Sequence, residues 1–348
     1  MTKRLYSDAY SAMVNVSHTI QTPAFVSAIC DLSLDDNDVR FMVGTVGAPN
    51  AYLVVYEKDG PKIESYHEKA HLQVSGNVSA ITLLPTRVVA VGFEDGHLRL
   101  YKLGDEIEET NAQRLSESAC TGIVLLDNHL YVGTECGKLM VVNATTFKRE
   151  RTVHKNMTSV IDLCEVNDHT IACAQLDGSI VLVDTMEDKK FEHIPIVEDT
   201  SITAIANHPE FAGLLAFGTS DGQVGFLDTN TTTKSHVFSS TSYSCSVWKV
   251  AFHPNKSFLM YSASDNGAFI EWDVSGSGRM SDVGQNDDAR CMFTSNSLRQ
   301  AMEMRHLIKS TAPISTICII GDRYIAALEC SQVQIVRTVP EDSIEIKG

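Results

Sequence analysis

What the chain lacks narrows its class quickly. No uninterrupted apolar run approaches the ~18 residues that a membrane-spanning helix needs. The start, Met1-Thr-Lys-Arg-Leu-Tyr-Ser-Asp, continues without the apolar stretch of a secretory signal. The nine cysteines are an odd number with no Cys-x-x-Cys pair, which argues against a disulfide framework and against a zinc-site spacing. A reduced, intracellular protein is expected, in which Cys30, Cys164 and Cys318 act as small buried apolar groups. The tripeptides Asn143-Ala-Thr145 and Asn230-Thr-Thr232 are then chance matches to a glycosylation acceptor.

Basic residues are also scarce, 28 Lys and Arg against 44 Asp and Glu, for a net charge of −16. The basic clusters are short, Lys148-Arg149-Glu150-Arg151 and Lys189-Lys190, and suit solvated strand edges. A surface that tracks phosphates needs more, so direct nucleic-acid binding and adhesion to anionic membrane are disfavoured. Catalytic signatures are missing as well: no Gly-x-Ser-x-Gly elbow, no phosphate-cradling Gly-Lys-Ser/Thr loop, no His-Glu-x-x-His. A non-enzymatic protein is expected, with no cofactor, no metal and no small-molecule substrate.

What is there is a repeat. In Ser246–Val274, Val247, Lys249 and Ala251 alternate with Trp248, Val250 and Phe252, the period of a strand between two packed layers. His253-Pro254-Asn255 stops it, because proline fixes φ and lacks an N–H. Leu259–Ala263 is a second apolar run, Asp265-Asn266-Gly267 supplies the turn, and Ala268–Trp272 returns. The turn recurs at Gly96, Gly137, Gly178, Gly222 and Gly267, spaced by 41, 41, 44 and 45 residues. That is the period of a four-stranded propeller blade, and Trp272-Asp273 is the dipeptide that names one blade class.

Two degenerate copies flank these five. Upstream, Phe41–Gly44 and Tyr52–Tyr56 bracket a turn widened to Gly47-Ala48-Pro49-Asn50. Downstream, Tyr324–Ala327 and Val333–Val336 bracket a turn with Ser331 in the glycine's place. A second register gives the same number: the strands preceding the hairpins begin at Val26, Val78, Cys120, Val160, Ile202, Val247 and Ile314. The expected fold is therefore all-β, a seven-bladed WD40-type β-propeller filling residues 1–348 as one domain. Residues 1–11 read as a loose terminus. The run 12–20 has no preceding blade and should pair with Gln332–Val339, latching the ring.

One stretch departs from the period. Gly267 and Ser331 are 64 residues apart, which defines an insertion at 275–312 between blades six and seven. Within it Leu298, Ala301, Met302, Arg305 and Leu307-Ile308 follow roughly helical spacing after a serine that could cap. The insertion is either an ordinary connection lying across a blade or a partner-binding element, with Leu298, Met302, Arg305 and Ile308 as its candidate contacts.

At the channel mouth, the residue after the first apolar position of each innermost strand is Ser27, Ser79, Thr121, Ile161, Thr203, Trp248 or Ser315. A site that cages a cationic peptide side chain wants carboxylates and several aromatics. This series offers one aromatic and no carboxylate, which argues against a histone-tail type reader. Trp248 either anchors a partner or fills space. Asp184, Asp228 and Asp273 recur once per blade, and His208-Pro209 matches His253-Pro254, so both sets read as architecture.

Several segments resemble the nucleoporin 43 family: Ala119-Cys-Thr-Gly-Ile-Val, Asn207-His-Pro, Gly218-Thr-Ser-Asp-Gly, Trp248-Lys-Val-Ala-Phe-His-Pro and Asp265-Asn-Gly…Glu-Trp-Asp. The insertion with Ser295-Asn-Ser and the closing Ile317-Cys-Ile-Ile…Ala326-Ala-Leu-Glu resemble it too. The likeness spans blades two to seven and is strongest from about 200 to 337. Most blades lack the Trp-Asp ending and the first blade matches poorly, as in a distant member. The resemblance implies a non-enzymatic subunit of the Y-shaped outer-ring complex of the nuclear pore. Its implied partners are a helical-solenoid subunit of the short arm and a second propeller. It further implies a nuclear-envelope location, a role in protein and mRNA transport, and association with kinetochores in mitosis. The alternative is a WD-repeat substrate adaptor or a chromatin or peptide reader.

Overall fold

Seven runs rich in small and β-branched residues form seven innermost strands: Phe25–Asp31, Val78–Leu84, Cys120–Leu126, Val160–Asn167, Ile202–Asn207, Val247–Phe252 and Ile314–Ile320. Each heads a four-stranded antiparallel sheet whose strands pair in chain order, except in the last sheet. The computed structural model describes residues 13–33, 38–47, 49–60, 65–154, 157–186, 191–230, 234–239, 245–275, 293 and 302–340. The seven sheets are the blades of a closed ring, and their innermost strands line a central channel.

The last sheet is assembled from both ends of the chain. Met13–Gln21 pairs antiparallel with Gln332–Pro340, from Met13 opposite Pro340 to Gln21 opposite Gln332. The predicted latch is present. Beyond the strand, Thr22 N–H donates to the Ser331 carbonyl at 2.9 Å, as Leu115 N–H does to Gly96 and Ser310 N–H to Gly267 in complete blades. The N-terminal strand thus takes over the contacts of a missing fourth strand. Residues 1–12 lie outside the described residues.

The core is segmented. Each cluster packs the facing sheets of two neighbouring blades, as Val43, Val54, Ile325 and Val333 do across the seam between blades one and seven. A sheet face of this kind is buried only by its neighbour, so closing the ring removes the last exposed pair of faces.

The hairpin turns need left-handed backbone. Gly96 and Gly267 have φ of 80° and 77°, and a Cβ on either would strike the carbonyl of Ser116 or Ser310. Ser331 holds the same conformation at φ 56° without being glycine. The recurrent acids prove local: Oδ1 of Asp184, Asp228 and Asp273 accepts the N–H two residues on, closing Asx turns.

The expected helix is not formed over the described part of the insertion. Glu303–Lys309 is the outer strand of blade six, paired with Ala268–Asp273. A bulge between Phe269 and Ile270 lets consecutive Leu307 and Ile308 both turn inward, 7% and 6% exposed. That doubled apolar pair imitates the phase of a helix. The insertion therefore ends before Glu303 rather than at 312. It also touches the core earlier: Phe293 is fully buried, with ring centroids 4.8 Å from Phe226, 5.5 Å from His208 and 5.7 Å from Phe252.

Candidate interaction surfaces of the ring

The channel wall is built on one repeated irregularity. All seven innermost strands carry a β-bulge near their start, at Val26/Ala28, Val78/Ala80, Cys120/Gly122, Val160/Asp162, Ile202/Ala204, Val247/Lys249 and Ile314/Thr316. The bulged residue belongs to the mouth series Ser27, Ser79, Thr121, Ile161, Thr203, Trp248 and Ser315. An extra residue on one strand re-aims its side chain, here toward the next blade.

The hydroxyls use that aim. Ser27 Oγ donates to the Val78 carbonyl at 2.6 Å and Ser315 Oγ to Val26 at 2.7 Å. Thr203 Oγ1 donates to Val247, and Ser79 Oγ to Cys120. Each is a blade-to-blade latch worth about 1 kcal/mol. Thr121 occupies the same position, yet its hydroxyl oxygen is shut from solvent and finds no partner among the described residues.

Where the series carries Ile161 and Trp248, a different tie appears. Asp162 of blade four reaches Lys249 of blade six, Oδ2 to Nζ 2.8 Å, past blade five. The same carboxylate accepts the Ile205 N–H at 3.2 Å and the Leu163 N–H at 3.0 Å. Lys249, the one cation lining the channel among the described residues, is thereby matched. The channel itself is ≈ 300 Å³ and mostly polar.

Trp248 stands at the mouth, 41% exposed, its indole N–H donating to Asp265 Oδ1 at 3.3 Å. The other tryptophan, Trp272, is buried and donates to Ser262 Oγ at 2.7 Å. Around the mouth runs a ring of turn residues. In blades two to seven the N–H of the first residue after the second strand donates to the carbonyl just before the innermost strand. The pairs are Glu94 to Asn77, Glu135 to Ala119, Leu176 to Ser159, Ser220 to Ser201, Asp265 to Ser246 and Glu329 to Pro313, all at 2.9–3.0 Å. Four of these six positions carry carboxylates, and none of the four joins an ion pair among the described residues. Glu94 and Glu135 flank a depression of ≈ 610 Å³ that shares Ser79, Thr121 and Ile161 with the channel.

Sequence reasoning looked for carboxylates on the innermost strands and missed these. The signal was the first residue of each Glu/Asp-x-Gly turn, which tertiary structure brings beside the mouth. Beside Glu135, burial would raise the Cys136 thiol, but hydrogen bonds with Ser118, Thr134 and Ser116 and the nearby Lys138 bring it down to about 7.

The other candidate contacts lie apart from Trp248, at the outer edge of blade six. Met302 packs half-buried against the core between blades five and six. Arg305 NH2 binds Glu271 Oε1 at 3.1 Å, and Glu271, 3% exposed, also accepts from Tyr261 OH at 3.0 Å. Ile308 is buried in the core shared with blade seven. As partner contacts Arg305 and Ile308 are therefore spent inside the ring, and the edge offers Glu303, the 42% exposed Met304 and Lys309 instead. Leu298 lies outside the described residues. His208 and His253 are architectural. His208 Nε2 lies 2.8 Å from the Ser257 carbonyl and its Nδ1 accepts two N–H groups.

On the opposite face, Leu32, Val55, Leu83, Leu103 and Ile107 line an apolar cleft of ≈ 560 Å³ between blades one and two. Of its cations Arg40, Lys69 and Arg87, the first two are held by Glu57, whose carboxyl their hydrogen bonds and charges keep below the usual range.

Among the described residues no group of three His, Cys, Asp or Glu could hold a metal ion. No helix among them is long and apolar enough to cross a membrane. The fold defines the class: a seven-bladed β-propeller, a rigid ring whose faces and edges suit it to act as a protein-interaction scaffold. No protein-family model matches the chain, and neither does any curated protein.

Proposed function

We propose that this chain is a non-enzymatic scaffold subunit, and that the assembly it serves is the Y-shaped outer-ring complex of the nuclear pore. The observation that carries the scaffold reading is the closed, interlocked ring. Both chain ends share one blade, hydroxyl latches join neighbouring blades, and the recurrent acids and histidines are absorbed by turns. The choice of assembly rests on the resemblance of blades two to seven to the nucleoporin 43 family. Under this reading the partners are a helical-solenoid short-arm subunit and a second propeller, and the location is the nuclear envelope, with kinetochores in mitosis.

Co-purification of the tagged chain from cells, with imaging in parallel, tests it. A nuclear-rim signal with outer-ring nucleoporins in near-equal amounts is the expected result. A diffuse signal with ligase or chromatin components would overturn the nuclear-pore assignment.

A further inference from the structure

The cleft between blades one and two departs from the rest of the chain in two independent respects. The first is charge. Acids outnumber bases by 44 to 28 overall, yet the cleft lining holds Arg40, Lys69 and Arg87 against the single carboxylate of Asp105. Glu57 matches Arg40 and Lys69, at 3.0 and 2.6 Å. Arg87 is exposed and joins no ion pair among the described residues. The second is backbone. The Arg87 carbonyl accepts the Leu103 N–H, as Asn128 accepts from Ala144 in blade three and Gly213 from Thr229 in blade five. All three residues are left-handed, with φ of 57°, 61° and 83°. Asparagine and glycine take that conformation readily, whereas a long arginine takes it at a cost. Residues held at such a cost gather at binding sites. Beside these cations lies an apolar floor, Leu83 at 37% exposed with the buried Leu32, Val55, Leu84 and Ile107.

We propose that this cleft docks an extended segment of a partner protein in which a large apolar side chain adjoins a carboxylate. The apolar side chain covers Leu83 and fills the floor, and the carboxylate pairs with the fork of Arg87. Charge selects the occupant. A cationic segment would leave Arg87 unmatched and would face Arg40 and Lys69 as well. A purely apolar one would cover the floor but desolvate the guanidinium without a partner. Shape selects the class. At ≈ 560 Å³ the cleft is of ligand-pocket size. Its rim takes Lys69 and Ala70 from Tyr66–Val74 and Ile107 from Ile107–Arg114. Each is the outermost strand of its blade, paired on one side only among the described residues. Such edges leave room for an extended chain to lie along them. A free fatty acid instead favours a cavity that buries most of its surface. The proposal does not depend on which assembly the chain joins, so it survives or falls separately from the nuclear-pore reading.

The test uses the full chain and a short fluorescein-labelled peptide in which leucines alternate with aspartates, read by anisotropy. Two control peptides carry serine for leucine or asparagine for aspartate. The leucine–aspartate peptide is expected to bind saturably, and each control about tenfold more weakly or worse. Attraction to the net charge of −16 cannot produce that order, because it repels the aspartates. Arg87→Asn installs the residue type that blade three carries at this turn. It should melt no earlier than the wild-type chain, yet bind roughly tenfold more weakly. A merely structural arginine would not give that pair of readouts. Should Arg87→Asn melt early, Arg87→Gly repeats the test with the residue type of blade five. Leu83→Gln, at an exposed position, should also weaken binding by roughly tenfold without lowering the melting temperature. Asp105→Asn removes the one opposing carboxylate and should tighten binding. No saturable binding, equal binding of the asparagine control, or unchanged binding in Arg87→Asn overturns the proposal. Binding of decanoate in place of the peptide would assign the cleft to a free fatty acid and overturns it too.

Discussion

Ser315 Oγ donates a 2.7 Å hydrogen bond to the carbonyl of Val26, 289 residues away in sequence. Ser27, one residue beyond Val26, makes the equivalent bond to Val78. The seam between the last blade and the first is therefore closed by the same latch as an interior interface. The strand pairing of Met13–Gln21 with Gln332–Pro340 completes it.

Removing residues 1–21 strips the outer strand from blade seven and uncovers the buried Ile20 site beside Val333 and Ile335. A loss of more than ~3 kcal/mol is expected, from several net hydrogen bonds plus apolar burial. Urea unfolding measures it, and a synthetic peptide of residues 13–22 added in trans should restore part of the loss. An unchanged midpoint would mean the ring closes without this strand.

Arg305→Ala should cost about 3 kcal/mol, because it leaves the Glu271 carboxylate buried without its cation. Adding Glu271→Gln should recover part of that, since the orphaned charge is gone. If Arg305 were instead a surface contact, the single change would leave the denaturation midpoint within experimental error.

Phe293→Ala should cost about 3–4 kcal/mol by opening a cavity among His208, Phe226 and Phe252. Phe293→Leu, which keeps most of the volume, should cost less than half as much. Equal stabilities by thermal melting would show that the insertion does not pin the core there.

His253 is buried, and burial first, then Lys256, lower its pKa to about 4, with Asp322 opposing. Unfolded, it titrates near 6.5. Between these values the unfolded chain holds the extra proton, so stability falls as pH drops from about 6.5 toward 4, by up to about 1.4 kcal/mol per pH unit. Above 6.5 the site has no effect. His253→Asn keeps an acceptor for the Asn255 N–H and should flatten the slope between pH 6 and 4.5 relative to the wild-type chain. Parallel slopes would remove His253 as the cause.

The repeat was legible because blade architecture is written locally. Glycine at φ near 80° in Gly96 and Gly267, the Asx acids Asp184, Asp228 and Asp273, and the small-apolar innermost strands each answer a constraint within a few residues. Even Ser331, in a glycine's place, kept the left-handed turn. The failures came where neighbours decided. Leu307 and Ile308 gave a helical phase, yet a bulge fixed by the partner strand turned both inward. Phe293 carried no periodic signal, because its burial depends on rings from blades five and six that meet only in the ring.

The candidate site divides the same way. The sequence by itself determined that Trp248 breaks a series of hydroxyls, and it placed an acid in the turns at Glu94, Glu135 and Asp265. Only the tertiary structure decided that these groups share one rim, that Lys249 is matched by Asp162 two blades away, and that Arg305 is committed to Glu271. The reason is physical. Turn and strand preferences act over a few bonds of one chain segment, whereas charge pairing and burial act through space, and ring closure sets which distant segments become neighbours.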